Sequence, residues 1–283
     1  VINKKRLQAL FRHSVLISGA LFLVMPLWIA LMSSTHSPEA LFREGLQFLP
    51  GSYGYETYSQ ILMGSDLLSA PAWRMLLNSL ILGLGFAIGK VIISMIAAYA
   101  LVYFRFPLAV PLFWMIFMTL LLPLEVRIIP SYEVVAKLNL LNSYTGLIVP
   151  LIASATGTFF FRQFYRSVPA ELLEAARIDG AGPLRFFIDI LIPLSTTMMA
   201  AIFIIMFVAG WNQYLWPLLM TTDPEYYSIV IGIRQVFQTL NEGGTLPQFN
   251  IAFGLTVLAT IPPVLVVVIF QKMFVKGLVE TEK

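Results

Sequence analysis

Six stretches of the chain are long, apolar and almost free of charge, and the polar segments between them differ widely in length. Charge-free runs occupy His13–Pro38, Phe106–Leu124, Leu138–Phe161, Ile190–Thr222 and Gly243–Gln271, while Met75–Phe104 is interrupted only by Lys90. About 20 mostly apolar residues carry a helix across the hydrocarbon core of a bilayer. The pattern therefore predicts an all-α integral membrane protein with six transmembrane helices, near 14–32, 76–104, 108–128, 145–165, 193–220 and 249–271, forming a single transmembrane domain over residues 1–283. The polar segment 33–73 carries turn signals at Pro38, Pro50-Gly51 and Gly54 and has room for short helices; the segment near 221–248, with Asp223-Pro224 and Glu242-Gly243-Gly244, reads as an exposed tip.

Composition supports this reading. Of 283 residues, 58% are hydrophobic and 12% charged, about half the charged share of a typical soluble domain, which is too little to cover a water-facing surface. The absence of cysteine excludes disulfides, thiolate metal ligands and thiol nucleophiles. His13 and His36 lie at opposite ends of the first stretch and cannot share a metal, so no metal or cofactor is expected in this chain. The net charge of +3 comes from basic residues scattered near span ends, which form no nucleic-acid patch. The start, Asn3-Lys4-Lys5-Arg6 and Arg12, resembles that of a signal peptide, but the apolar run after it is too long for one and Leu31-Met32-Ser33-Ser34-Thr35 lacks a small-x-small cleavage site. It is expected to be a retained first helix. With both termini cytoplasmic, twelve basic residues fall inside, Arg162, Arg166, Arg177 and Arg185 among them; five, Arg43, Arg74, Arg127, Lys137 and Arg234, fall outside, in accord with the positive-inside rule.

The inner loop, about 166–192, has its own helix grammar. Pro169 suits a first turn, Glu171 and Glu174 suit the positive end of the helix dipole, and Gly180 supplies a left-handed C-terminal cap. The predicted helix, Pro169–Asp179, is about 16 Å long. Gly182-Pro183 then starts a second helix, expected to run through Leu184–Ile192 and Pro193 into the fifth span. By these signals alone the loop is equally an amphipathic helix at the membrane interface.

Glu174-Ala175-Ala176, Asp179-Gly180-Ala181, Phe186 or Phe187, Ile190 and Pro193-Leu194 resemble the EAA loop of ABC importer permeases of the binding-protein-dependent carbohydrate-uptake family. The resemblance extends over nearly the whole chain. Leu122-Pro123-Leu124-Glu125-Val126-Arg127-Ile128 and Gly210-Trp211-Asn212-Gln213-Tyr214-Leu215-Trp216-Pro217-Leu218 are most similar to permeases that import sn-glycerol-3-phosphate. It implies the type I importer permease fold, a location in the bacterial inner membrane, and a complex with a homologous second permease, two cytoplasmic ABC ATPase subunits and a periplasmic solute-binding protein. ATP and Mg would be bound by the ATPase. By the same resemblance the inner loop is a coupling helix that docks on the ATPase, its coupling residues being Glu174 for polar contact, Ala175 and Ala176 for close approach, Gly180 for the turn, and Asp179 and Ala181 on either side of it. The implied cargo is sn-glycerol-3-phosphate and glycerophosphodiesters, with a maltose-type oligosaccharide as the alternative.

Polar residues at membrane depth are the candidate pathway. Lys90 lies on a stripe of small residues, Ser79, Gly83, Ala87, Ser94 and Ala97, of the sort that packs against other helices; it either attracts an anionic cargo or is paired with a carboxylate or carbonyls inside the bundle. Arg127 either receives a phosphorylated cargo at the outer mouth or pairs with Glu125. Trp211, Asn212, Gln213 and Tyr214 either line the pathway or belong to an aromatic belt, and Pro217 is expected to kink the helix by freeing the Gln213 carbonyl. Gly83–Val91 lacks the residues of a phosphate-binding loop, with Leu84 and Val91 where Gly and Ser or Thr are needed. A secondary transporter is disfavoured because no intramembrane carboxylate is present for ion coupling, and a membrane enzyme because no catalytic constellation is apparent.

Overall fold

The structure, a computed structural model, describes residues 4–242 and 246–280, and its regular elements there are all helical. The Gly243-Gly244 tip and the Glu282-Lys283 end lie outside the described residues. Among the described residues, three helices are long and apolar enough to cross a membrane: α1 (Lys4–Ser33), α4 (Ala72–Tyr103) and α15 (Phe249–Glu280). Three bent pairs of helices pass the same test together, and counting each pair as one span gives up to six.

The breaks have local causes. In the third stretch, α5 (Ala109–Met118) and a 3-10 turn to Leu121 are followed by α6 (Leu124–Lys137) at 106°. Pro123 disfavours helix at the residue before it, and Leu122 is extended. The stretch is thus not one helix over 108–128, and its second half continues to Lys137. In the fourth, α7 (Tyr144–Ile148) and the 3-10 turn Val149–Leu151 meet α8 (Ala155–Ser167) at 47°. Pro150 cannot donate to the ladder, and Ser154 restarts the helix as its N-cap, accepting the Gly157 N–H at 3.1 Å.

The fifth stretch departs most from expectation. After α9 (Ala170–Ile178), the chain forms α10 (Pro183–Phe186), a π-turn Phe187–Leu191 and α11 (Ile192–Leu194), then turns 74° at Ser195 into α12 (Thr196–Trp211). Pro193 offers no N–H to the turn before it, and the Ile192 N–H reaches back to the Phe187 carbonyl. Ser195 closes the corner: its hydroxyl donates to the Leu191 carbonyl at 2.5 Å, and its N–H bonds the Leu191 and Ile192 carbonyls. The expected continuous helix from inner loop to fifth span is therefore corrected to two helices. The Pro217 kink is corrected as well. The helix ends earlier, at Trp211, and Pro217 sits near the start of a new helix, α13 (Leu215–Met220), where its missing N–H leaves no ladder bond unmade.

The chain divides into two compact units, Val1–Arg74 with Gly232–Ile261 and Met75–Ile231 with Pro262–Lys283. In the first, α2 (Pro38–Glu44) is capped by Ser37, and the segment after it folds back so that the Gly51 N–H donates to the Thr35 hydroxyl at 2.7 Å. α3 (Gly54–Met63) packs the fully buried Ile61 against Gly254, and Asn250 Nδ2 donates to the Thr57 hydroxyl at 2.9 Å.

In the second unit, α4 is the central element. Its small residues do pack: Ser79, Ala87 and Ser94 are fully buried. A Cβ on Gly210 would lie 2.7 Å from Phe86 and 3.2 Å from the Gly83 Cα, so the backbones of α4 and α12 touch there. The core gathers Leu82, Phe86, Ile128, Leu147 and Met220 around Trp216, whose Nε1 donates to the Leu147 carbonyl at 2.9 Å. Asn78 fastens the start of α4: its Nδ2 donates to the carbonyls of Glu225 and Tyr227 at 2.8 and 2.9 Å, and its Oδ1 accepts from Tyr144. The segment 221–248, expected as an exposed tip, contains the helix α14 (Ile229–Glu242), whose residues from Gly232 on belong to the first unit; Ile229, Ile231 and Val236 are buried and Phe237 is exposed.

Candidate functional site

Two regions of the second unit carry the predicted site residues. The first is the inner loop. α9 follows Pro169, and its C-terminus is a Schellman cap: the Ala181 N–H bonds the Ala176 carbonyl at 2.8 Å and the Gly180 N–H bonds Arg177 at 3.1 Å, with Gly180 at φ 75°. Gly180 thus occupies the left-handed position its place in the sequence predicts. Of the helix, Ala176 is buried, while Glu171, Glu174, Ala175, Arg177, Ile178 and Asp179 are exposed. Ile178 is 86% exposed, a large apolar side chain presented outward beside two carboxylates.

An aromatic cluster fastens the segment after this loop to the rest of the unit. The Tyr99 hydroxyl donates to the Pro183 carbonyl at 2.8 Å, and its ring lies 4.8 Å from Phe187. Tyr103 meets Phe186 at 5.3 Å and Tyr165 at 6.2 Å, edge to face in both cases. Rings at such distances attract one another beyond their burial. They join α10 and the π-turn to α4 and α8.

The second region is a cavity of about 540 Å³ with walls from α4, α5 and its 3-10 turn, the start of α6, α8 and α12. Lys90 and Arg127, predicted separately, both line it, together with Thr119, Ser154, Thr156 and Thr158. Among the described residues, no carboxylate lines it. Lys90 stands over the Phe86 ring, 5.2 Å from its centroid, a cation–π contact; among the described residues it forms no ion pair. Arg127 does not pair with Glu125 either, because residues two apart on a helix do not face each other. Arg127 also borders a second, mostly apolar cavity of about 440 Å³ with Pro130, Val134 and Leu138.

The Trp211–Tyr214 cluster is not drawn together at this cavity, to which α12 contributes Ile205, Met206 and Ala209. Trp211 is buried and stacks on Phe207 at 5.9 Å. Asn212 is exposed, and Gln213 and Tyr214 are half-buried in the link between α12 and α13.

Residues 79–280 match the family model of the binding-protein-dependent transport system inner membrane component. The chain belongs to this family. Among its relatives, the sn-glycerol-3-phosphate transport system permease protein UgpE of Salmonella typhi is 48% identical, and that of Escherichia coli K12 is 47% identical, each alignment covering 100% of both chains. The fold is similar to that in the crystal structure of a bacterial ABC transporter involved in the import of the acidic polysaccharide alginate, with a TM-score of 0.77, 21% identity, and 97% of this chain and 99% of that one covered. The chain is thus a membrane permease with the ABC importer fold. It is a transport subunit and not an enzyme, and it works in a complex with other subunits.

Residue patterns had not singled out Ser154, Thr156 and Thr158 as walls of the permease's cavity. A signal was present: Ser154-Ala155-Thr156-Gly157 begins a helix inside a charge-free run, and a helix start inside a membrane span exposes backbone N–H groups that need partners. The aromatic cluster left no comparable signal, since Tyr99, Tyr103 and Tyr165 are distributed over two spans.

Proposed function

We propose that this chain is one of two permease subunits of an ATP-driven importer of sn-glycerol-3-phosphate and glycerophosphodiesters. It lies in the bacterial inner membrane with both termini cytoplasmic. The observation that carries the cargo is the end-to-end 48% identity to relatives bearing that transport name. The orientation rests on the excess of basic residues in the segments that would lie inside.

In this reading a homologous second permease supplies the other half of the pathway, a periplasmic binding protein delivers cargo, and two ATPase subunits bind ATP and Mg. α9 is the contact to the ATPase: Glu174, Asp179 and Ile178 face outward, and the Ala175 surface permits close approach. The Gly180 cap fixes the angle at which the chain leaves α9. The Tyr99 and Tyr103 contacts carry a displacement of α10 into α4 and α8, while the corner at Ser195 lets α12 take a different direction from the coupling segment.

The test is ATPase stimulation in the reconstituted complex with its binding protein. sn-Glycerol-3-phosphate is expected to stimulate. Stimulation by maltose-type sugars and none by sn-glycerol-3-phosphate would overturn the cargo assignment and leave the fold and family untouched.

A further inference from the structure

The cavity bounded by Lys90 and Arg127 brings together features that the sequence leaves scattered over four helices. Two cationic side chains from α4 and α6 face one space, with no acid on its walls among the described residues. Like charges that face one space repel each other, and an anion between them relieves that repulsion. The third wall is the start of α8, a 13-residue helix: Ser154, Ala155 and Thr156 line the cavity, and the first backbone N–H groups of a helix have no partner within it.

We propose that this cavity binds the phosphoryl group of a phosphate monoester in transit, with Arg127 and Lys90 as its cationic clamp and the first turn of α8 as its third side. The assignment rests on the reading of the chain as a permease for glycerol phosphates, and places recognition of the phosphate in this subunit. Arg127 offers a planar fork that matches phosphate oxygens, and Lys90 adds a compact charge. The hydroxyls suit the rest of the cargo. Thr119 and Thr158 donate their protons to the backbone carbonyls of Ile116 and Ser154, at 2.6 and 2.9 Å. They therefore present lone pairs to the cavity, which accept from a glycerol hydroxyl. A monoester carries nearly two negative charges at neutral pH and a diester one, so two cations discriminate between these cargoes. An anionic lipid headgroup has the same phosphate chemistry, and the test separates the two sources.

The experiment uses the complete importer with its binding protein in vesicles of phosphatidylcholine alone and, in parallel, with anionic phosphatidylglycerol. Uptake of sn-glycerol-3-phosphate and of the diester glycerophosphoglycerol is compared for wild type, Lys90→Met, Arg127→Gln, Lys90→Arg and Thr156→Asp. In the phosphatidylcholine vesicles, the two neutral variants are expected to lose at least about tenfold in monoester uptake, by the 1.4 kcal/mol per tenfold conversion, and clearly less in diester uptake, while Lys90→Arg restores the monoester. Thr156→Asp adds a negative charge to the wall without removing a cation and is expected to show the same selectivity, which keeps the test open if a neutral variant fails to assemble. Monoester uptake within twofold of wild type, equal loss of both cargoes, or an effect confined to the phosphatidylglycerol vesicles would overturn the site, the last pointing to lipid. If wild type carries neither cargo, the function proposed above fails instead.

Discussion

Replacing Gly180 isolates the contribution of backbone geometry to coupling. Its φ of 75° is left-handed, and a Cβ built there meets no atom within 4 Å, so a side chain costs conformational strain and nothing in packing. That strain is about 1–2 kcal/mol for an ordinary L-residue. Because 1.4 kcal/mol is tenfold in an equilibrium, the ratio of capped to frayed loop falls about five- to thirtyfold. Asparagine adopts this region more readily, as Asn139 and Asn142 do in this chain at φ 55° and 52°. A β-branched residue is a genuine outlier there. Uptake by the reconstituted importer is therefore expected to rank Gly180 and Gly180→Asn above Gly180→Ala, and that above Gly180→Val, with membrane insertion unchanged in all. Gly180→Asp has the backbone tolerance of asparagine but adds a charge beside Asp179, so loss in Asp alone assigns the defect to the docking surface. Equal uptake in the valine and asparagine variants would refute the reasoning, since it would show that the cap conformation does not matter.

Other substitutions follow from packing and hydrogen bonding. Trp216→Phe leaves the Leu147 carbonyl without its donor, at a cost of about 1–3 kcal/mol, and is expected to lower the Tm of the assembled complex; an unchanged Tm would show that the bond is dispensable. Asn78→Ala removes three hydrogen bonds at a buried position, at about 3 kcal/mol or more; limited proteolysis between α13 and α14 reads the loosening, and wild-type resistance would count against it. Gly210→Val collides with Phe86 and Gly83, whereas Gly182→Val meets nothing within 4 Å at a φ any residue adopts. Only the first is expected to reduce the yield of folded protein, and matched yields would contradict the close approach of α4 and α12.

The elements that were legible in the sequence are those set by local chemistry. Apolar run lengths located α1, α4 and α15, and Pro169, Gly180 and Gly182-Pro183 marked the ends of α9 and the start of α10. The bends were legible only in part. Pro123 and Pro150 mark places where a helix is weakened, but whether the chain kinks or breaks depends on what receives the freed backbone groups, and those partners are distant in sequence. Pro217 shows the ambiguity most clearly: an interior proline and a first-turn proline look alike in a sequence, and the choice was settled by α12 ending at Trp211. Lys90 was recognisable as a costly residue at membrane depth, and Arg127 as a cation at the outer mouth. Their sharing of one cavity was not, because it follows from the 106° turn between α5 and α6.

The breaks also sort themselves by how their backbone groups are satisfied. Irregular backbone at membrane depth is tolerated where protein buries it or where it lines a polar space. The corner at Ser195 is of the first kind: it is fully buried, and its own hydroxyl and N–H occupy the Leu191 and Ile192 carbonyls. The breaks before α6 and α8 are of the second kind, for Thr119 and Leu120 from one and Ala153, Ser154, Ala155 and Thr156 from the other lie on the walls of the 540 Å³ cavity. A single continuous helix in either place would present only side chains to that space. Interrupting both delivers polar backbone and capping hydroxyls to the point where Lys90 and Arg127 bring positive charge, and where a polar cargo crossing the bilayer needs replacements for water. The irregularities that make these two spans hard to read as transmembrane helices are the features that give the cavity its polar walls.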